Sequence, residues 1–218
     1  MRLRALTVIL FLLALVLTAC SDDTKPVGPD KKGDATIAEA DLTDFDKKLM
    51  NLATDMSFAY DIQLHNQEAK ELQVTVEHYQ NGEKVNEILN MASGLKNVKP
   101  SDNLKVVFLR QKAGEGQEKW VGSVIRANGS SSVENTVEAP SDDYASVSSG
   151  GISSQTSFTI GERQYASTII HTNQHSVSQR TDLDTDEAIK QATDYEDVYL
   201  LSVRLNKQQG KLKKEAER

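Results

Sequence analysis

Three aspartates at alternate positions, Asp182, Asp184 and Asp186, form the acidic pattern with the plainest chemical meaning. Alternate carboxylates in a loop can converge on a hard cation, and this spacing matches the first ligands of a calcium loop. Such a loop would continue with glycine at 187 and glutamate at 193, where this chain has Glu187 and Thr193. We therefore favour Asp184 as the cap of a helix with Glu187 three residues later, and the cation site is the alternative.

Two histidines, His171 and His175, lie four residues apart, a spacing that brings two imidazoles together on a helix. Neutral imidazole is a common ligand of transition metals. The residues before His171 have a strand-like pattern, and on a strand this spacing does not make the two side chains converge in the same way. We predict a surface pair or a pair satisfied by loop groups, with no metal and no other cofactor.

Two short segments match the spelling of catalytic signatures. Ser93-Gly-Leu-Lys96 and Ser101-Asp-Asn103 resemble two motifs of the penicillin-binding and β-lactamase families, in which a lysine helps to activate a serine. Those families place the motifs far apart on different elements and add a KTG strand. Here they lie five residues apart and no KTG follows, so we interpret both as loop residues. The sequence also has no GxSxG, P-loop, GxGxxG or HExxH motif.

The N-terminus has the three parts of an export signal. Arg2 and Arg4 precede an apolar run over residues 5–19, which is too short to span a bilayer permanently. Leu17-Thr18-Ala19-Cys20 then resembles the lipobox of bacterial lipoproteins, in which the cysteine is acylated before cleavage. The resemblance implies that residues 1–19 are removed and that two or three acyl chains on Cys20 anchor the protein stably.

Cys20 is the single cysteine of the chain, so it has no partner for an intramolecular disulfide. Acylation of its sulfur would explain why an exported protein has an unpaired cysteine. The alternative is an ordinary signal peptide with a chance cysteine. We expect the protein on the extracytoplasmic side of a bacterial cell membrane, lipid-anchored, and Ser21 is compatible with the outer membrane if the organism has two membranes.

The charge of the mature chain argues against some partners. Residues 1–19 carry two of the 25 basic residues and none of the 32 acidic ones, so their removal leaves a formal charge of −9. This charge disfavours nucleic acid and anionic lipid as ligands.

A flexible tether, one domain and a tail follow the anchor. Residues 20–35 are rich in proline, glycine and charge, residues 36–206 form the domain, and residues 207–218 are a polar tail. The domain begins with apolar residues at helical spacing, namely Leu42, Phe45, Leu49, Leu52 and Met56. Thr36 with Glu39, or later Thr43, would cap this helix. We predict that its apolar side docks on the domain, and binding to a membrane surface or a partner is the alternative.

The rest of the domain shows strand periodicity. Asn81-Gly82 predicts a two-residue type I′ turn that pairs Gln80 with Glu83. This register places Glu87 opposite Val76, which indicates a register shift or a sheet margin. Other strands are predicted at 58–64, 104–111, 120–125 with Trp120 in the core, 133–137 at an edge, and 198–205. A second hairpin is predicted around Gly161-Glu162 with Phe158 opposite Tyr165, long loops within 130–154, and a short helix over 186–192.

These elements predict a mainly β fold of about eight or nine strands. We expect an antiparallel β-sandwich or open barrel with one N-terminal amphipathic helix and one short late helix. The alternative is an α+β fold with a helix packed on one antiparallel sheet.

No catalytic pattern fits its context, so the sequence favours a non-enzymatic binding or interaction module. Its partner would be an envelope protein, a glycan or a small ligand, and the loops within 130–154 are the first candidate surface. An extracytoplasmic hydrolase with an unrecognised site is one alternative. An envelope assembly subunit that uses an exposed strand edge is the other.

Overall fold

Two antiparallel sheets lie face to face in the computed structural model, which describes residues 33–141, 143–180, 183 and 185–208. The described elements, in chain order, are β1 (Ala35–Glu39), α1 (Asp44–Ala53), β2 (Met56–Leu64), β3 (Glu71–Gln80), β4 (Glu83–Gly94), β5 (Asn103–Lys112), β6 (Gln117–Arg126), β7 (Gly129–Glu138), β8 (Ser146–Gly151), β9 (Thr156–Phe158), β10 (Arg163–Thr172), α2 (Asp186–Thr193) and β11 (Asp197–Asn206). The sheets have the strand orders β7-β6-β5-β2-β1-β9 and β4-β3-β11-β10-β8. The predicted antiparallel sandwich is confirmed.

The core between the sheets follows from alternation along the strands. On β3, Leu72, Val74 and Val76 are fully buried, as are Leu104 and Phe108 on β5. Side chains at every second position of a strand share one face, so these residues point to the same layer. Burying one such side chain stabilises the fold by about 1.5–3 kcal/mol.

A second apolar layer covers the outer face of the smaller sheet. It contains Tyr165, Ile170, Leu183, Ala192, Val198 and Leu200. Strands β10 and β11 are therefore buried on both faces. Helix α2 confirms the predicted short helix, but its cap is Thr185, whose Oγ1 accepts a hydrogen bond from the Ala188 amide at 3.1 Å. The predicted cap, Asp184, lies outside the described residues.

The Asn81-Gly82 hairpin is confirmed, since both residues have positive φ, 51° and 84°. Two register shifts in β4 then change the pairing away from the turn. Val76 consequently pairs with Leu89, and Glu87 pairs with Glu77. The mismatch that the sequence showed opposite Val76 is thus resolved by a shift of register.

Two predictions for the later part of the chain are wrong. Strand β9 pairs with β1 in the larger sheet, whereas β10 pairs with β8 and β11 in the smaller one, so the chain crosses between sheets at Gly161 and Phe158 does not oppose Tyr165. The predicted edge strand at 133–137 is confirmed within β7, but the predicted long loops are not, because β7 and β8 take up much of segment 130–154. Serine and glycine occupy these strands because β7 and β8 are edge strands, which need few large side chains.

Helix α1 begins at the later of its two predicted caps. The Thr43 Oγ1 accepts a hydrogen bond from the Asp46 amide at 3.2 Å, and the Asp46 carboxylate accepts one from the Thr43 amide at 3.1 Å. This is a capping box. Thr36 and Glu39 lie on β1 instead.

The predicted docking of the helix's apolar side is wrong. Phe45, Leu49 and Leu52 are 71%, 54% and 87% exposed. The helix joins two neighbouring strands of one sheet, whose inner face the other sheet already covers. Neither helix of the described chain has the length and apolar character needed to cross a membrane.

This exposure makes a matched pair of leucine variants informative. Leu52→Ala is expected to change the free energy of unfolding by less than about 0.5 kcal/mol, because the side chain buries almost nothing. Leu104→Ala removes a fully buried side chain and is expected to cost about 2–5 kcal/mol. Urea unfolding of both variants measures the difference. A loss for Leu52→Ala similar to that for Leu104→Ala would mean that the helix docks after all.

Candidate functional site

The strand registers distinguish two ends of the sandwich. Gly33 precedes β1, whose first residue Ala35 pairs with Leu64 at one end of β2. The opposite end of β2 pairs Met56 with Arg110. We call the end with Gly33 the N-terminal end and the end with Arg110 the far end.

A cavity of about 200 Å³ opens at the far end. Both sheets and the chain between β7 and β8 contribute to its lining, which includes Arg110, Lys112, Glu118, Pro140, Tyr144 and His171. Two of these side chains, Arg110 and Glu118, are charged although they are largely buried. We call this the far-end cavity.

A buried ion pair lies in the wall of the far-end cavity. The Glu118 side chain is 1% exposed, and its Oε2 accepts a hydrogen bond from Arg110 Nε at 2.5 Å. Its Oε1 accepts a second bond from Trp120 Nε1 at 2.7 Å. The Arg110 guanidinium also lies over the rings of Trp120 and Tyr199, 5.8 and 5.6 Å from their centroids. The aromatic rings and the carboxylate together compensate the partly buried cation.

His171 has a different environment, because its imidazole is buried and no described residue forms a hydrogen bond with its Nε2. The residue is 5% exposed. The rings of Tyr144 and Tyr199 contact it edge to face, at centroid distances of 5.8 and 5.9 Å. Burial, with a smaller contribution from Arg110, lowers the pKa of His171 to about 4. The ring is therefore neutral at physiological pH.

The described chain has other buried polar side-chain atoms without a partner, on Arg126, Tyr199 and Ser202. Among these residues and His171, only His171 belongs to the lining of the far-end cavity. Buried polar atoms in native proteins are nearly always hydrogen-bonded, so each exception calls for a cause. At His171 the adjoining cavity offers one.

A second polar cluster lies beside the cavity and is centred on Asp197. Its carboxylate accepts hydrogen bonds from His78 Nε2 at 2.6 Å, from Gln80 Nε2 at 2.9 Å and from the Tyr144 hydroxyl. Burial by itself would raise the pKa of Asp197, but these hydrogen bonds outweigh it and hold the pKa below its usual value. Burial, together with the hydrogen bond to Asp197, raises the pKa of Tyr144 to about 12. This cluster fixes Tyr144 at the cavity mouth.

A fully compensated cluster elsewhere gives a useful contrast. The buried Glu77 carboxylate pairs with Lys84 Nζ and with Arg163 Nη1, each at 2.5 Å. Burial would raise the pKa of Glu77, but the two cations keep it lowered. Here the buried charge has its partners within the chain, so the cluster needs no ligand.

Two of the larger hollows have linings with fewer groups able to do chemistry. One, of about 630 Å³, lies near the N-terminal end and exposes Lys70, Lys96 and Lys99 to solvent. The other, of about 560 Å³, lies beneath α1, and the buried Tyr60 hydroxyl in its wall already donates to the Ala166 carbonyl oxygen at 2.9 Å. Neither places an unsatisfied buried side chain in its lining.

The structure does not test the lipidation and cation sites predicted from the sequence. Cys20, Asp182 and Asp184 lie outside the described residues, and Asp186 is an exposed residue at the start of α2. The described residues contain no group of three or more His, Cys, Asp or Glu side chains that would hold a metal ion.

The interpretation of the histidine and serine motifs is partly wrong. His171 is buried on β10 whereas His175 is exposed, so they do not form a surface pair. Ser93 is a buried residue of β4, not of a loop, and its Oγ lies 3.4 Å from Ser131 Oγ. Ser101 does lie in an exposed turn.

The sequence carried a signal for the residues that were missed. Glu118 shares the buried face of β6 with Trp120, and Arg110 pairs with Trp120 in the register of β5 and β6. A charged residue on the inward face of each of two neighbouring strands, near the same end of the sheet, is unusual, because buried charges are rare unless paired. That pattern was available from the sequence alone once the strands were assigned.

The fold and the site together define a two-sheet β-sandwich with a polar cavity at one end. A comparison with protein families matches residues 36–205 to the YgaN domain. The chain therefore belongs to the YgaN domain family. No curated protein and no solved structure matches it.

Proposed function

We propose that the protein is a bacterial lipoprotein, anchored through Cys20, whose β-sandwich is a non-enzymatic binding module with its ligand site in the far-end cavity. One observation carries the second part: His171 lines the cavity, and its buried Nε2 has no hydrogen-bond partner among the described residues. Leaving a buried polar atom unpaired costs about 1–3 kcal/mol. Such a cost is typical of positions where function opposes stability.

The position of the cavity supports a role for the anchor. Thirteen residues, 20–32, separate the cysteine from Gly33, and fully extended they would reach up to about 43 Å. The tether joins the sandwich at its N-terminal end, so the far-end cavity is the part of the sheets most distant from the attachment point. A tethered module with its site at the free end suits capture of an envelope component.

A hydrolase is the alternative that one contact favours. Asp197 holds His78 in a hydrogen bond of 2.6 Å, as a carboxylate does in a catalytic triad. Among the described residues, no serine or threonine hydroxyl is hydrogen-bonded to His78, so the nucleophile of such a site is missing from this arrangement.

The anchor is tested by metabolic labelling with a radioactive fatty acid. Wild-type protein is expected to incorporate the label and to sediment with membranes, and Cys20→Ala is expected to do neither, because the thioether linkage needs the sulfur. Equal labelling of both proteins would remove the anchor from the proposal.

The binding role is tested by capture from an envelope extract. Both baits are the whole chain from residue 20 with Cys20 replaced by serine. The first bait has the wild-type cavity, and the second carries His171→Phe. An envelope component that binds the first bait and is lost with the second supports the proposal. His175→Phe, at an exposed histidine, is the matched control and is expected to retain the component. A component retained equally by all three baits would place binding elsewhere.

A further inference from the structure

We propose that the far-end cavity binds a neutral, hydroxyl-rich group of about the size of one sugar ring. This inference rests on the proposed function, because it names the ligand class of the same cavity. Four properties of the cavity support it, namely its size, its charge balance, its arrangement of donors and acceptors, and its apolar rim.

The size limits the ligand to a small group. The cavity measures about 200 Å³, below the 300–1,000 Å³ or so that is typical of pockets for drug-sized molecules. It therefore admits one ring and not several. The remaining units of a longer chain would lie outside the mouth.

The lining is electrically balanced. Arg110 and Glu118 are paired at 2.5 Å, and Lys112 and Asp55 line the same cavity. The Asp55 carboxylate also accepts a hydrogen bond from the Lys112 amide at 2.6 Å. Among the described lining residues, a charged ligand would meet two charges of each sign and would lose its hydration without a net attraction. A neutral ligand avoids that cost.

The polar atoms in the wall match the hydrogen bonding of hydroxyl groups. The Glu118 carboxylate accepts hydrogen bonds from Arg110 and Trp120 and also interacts with the Tyr199 hydroxyl, and a carboxylate has about four acceptor sites in all. The Arg110 side chain supplies further N–H donors beside the carboxylate. His171, with its unpartnered Nε2, adds a further polar group to the lining. A hydroxyl both donates and accepts, so hydroxyls on adjacent carbons satisfy neighbouring donors and acceptors at once.

The rim of the cavity is apolar. Pro140, Tyr144 and Val147 belong to the lining, and Val147 is 53% exposed. The Tyr144 ring is held in place by the hydrogen bond of its hydroxyl to Asp197. A sugar ring presents C–H groups on its faces, and these pack on aromatic and aliphatic side chains while its hydroxyls reach the polar wall.

Trp120 provides a built-in reporter. It is the single tryptophan of the chain, and its Nε1 donates to the cavity carboxylate Glu118. A ligand that binds Glu118 changes this hydrogen bond and hence the tryptophan fluorescence. The whole chain from residue 20, with Cys20 replaced by serine, is titrated to about 10 mM with glucose and N-acetylglucosamine. The tetrasaccharide of N-acetylglucosamine is a further probe, and glucuronate is the anionic counterpart of glucose.

A saturable fluorescence change with at least one neutral sugar is expected, with a Kd at least tenfold weaker in His171→Phe and unchanged in His175→Phe. A tetrasaccharide that binds at least tenfold better than its monomer identifies an envelope glycan as the source, whereas equal Kd values identify a free sugar. A response to glucuronate alone would overturn the neutral assignment, and no response to any probe would overturn the inference.

A second pair of variants does not depend on replacing a buried residue. Val147→Asp places a carboxylate on the rim and is expected to weaken sugar binding at least tenfold, because the apolar contact is lost. Val85→Asp, at a valine that is 51% exposed on β4, is the matched control. Equal effects of both would contradict the cavity as the site. A chain that still captures an envelope component through His171 but binds no sugar would overturn this inference and leave the proposed function intact.

Discussion

Replacing His171 with phenylalanine is expected to stabilise the domain in mild acid and to remove much of the pH dependence of its stability between about pH 7 and pH 4. The folded-state pKa of His171 is lowered to about 4 from its ordinary value of 6.5. Below pH 6.5 the unfolded chain takes up a proton that the folded chain excludes, so stability is full above that pH and is lost progressively down to about pH 4. Phenylalanine cannot titrate, and it keeps the edge-to-face contacts with Tyr144 and Tyr199.

The expected gain is about 2 kcal/mol near pH 5 from the difference in proton uptake. A smaller gain at neutral pH follows from removing the unpaired Nε2. Urea unfolding of wild type and His171→Phe at a series of pH values measures both. Buried carboxylates such as Asp197 titrate in both proteins, so the difference between the two curves isolates the histidine. Parallel curves would show that His171 titrates normally and would contradict its burial as a neutral ring.

A gain in stability together with a loss of binding would explain why a histidine occupies this position. A phenylalanine of similar shape would pack as well on Tyr144 and Tyr199 and would leave no polar atom buried. The imidazole is therefore the less stable choice for folding alone. Its retention is consistent with a ligand that completes the hydrogen bond of Nε2.

Much of the sandwich was predictable from local sequence. Strands that alternate, such as β3 with Leu72, Val74 and Val76, identify their buried face by period alone. The Asn81-Gly82 turn was equally clear, because few residue pairs accept positive φ at both positions. These features depend on neighbours in the chain, so one sequence is sufficient to find them.

The predictions failed where the same local sequence pattern fits two structures and contacts with distant residues decide between them. The segment around Gly161 has the form of a hairpin, but β9 finds its partner in β1 and β10 finds its partner in β11. The apolar spacing of α1 predicts a docked helix, yet the inner faces that would receive it are already paired. In both cases the competing partner is distant in sequence, and local periodicity does not report it.

The far-end cavity was hidden for the same reason. Its lining joins Asp55, Arg110, Tyr144 and His171, which come from four separate stretches of the chain. No spacing rule connects such residues, in contrast to the aspartates at 182–186, whose close spacing alone predicts a candidate cation site. What the sequence did offer was Glu118 on the buried face of β6.

Arg110→Gln is expected to destabilise the domain by about 3–5 kcal/mol, because it leaves the Glu118 carboxylate, 1% exposed, without its cation. The melting temperature should fall by roughly 6–20 °C for a chain of this size. Glu118→Gln is expected to cost less, since the Arg110 guanidinium is 15% exposed and keeps its contacts with the rings of Trp120 and Tyr199. Thermal unfolding followed by circular dichroism at neutral pH measures both losses.

The double variant Arg110→Gln with Glu118→Gln separates two quantities. One is the net contribution of the ion pair to stability, and the other is the loss of stability when only one partner is removed. It should be more stable than Arg110→Gln alone, because no buried charge is then left unpaired, and the glutamine at 118 still accepts from Trp120 Nε1. Additive losses in the three variants would mean that the pair is not coupled, contrary to its 2.5 Å contact. If the double variant approaches wild-type stability yet no longer responds to sugar, then folding does not require these charges. Their place in the cavity wall is then explained by the ligand.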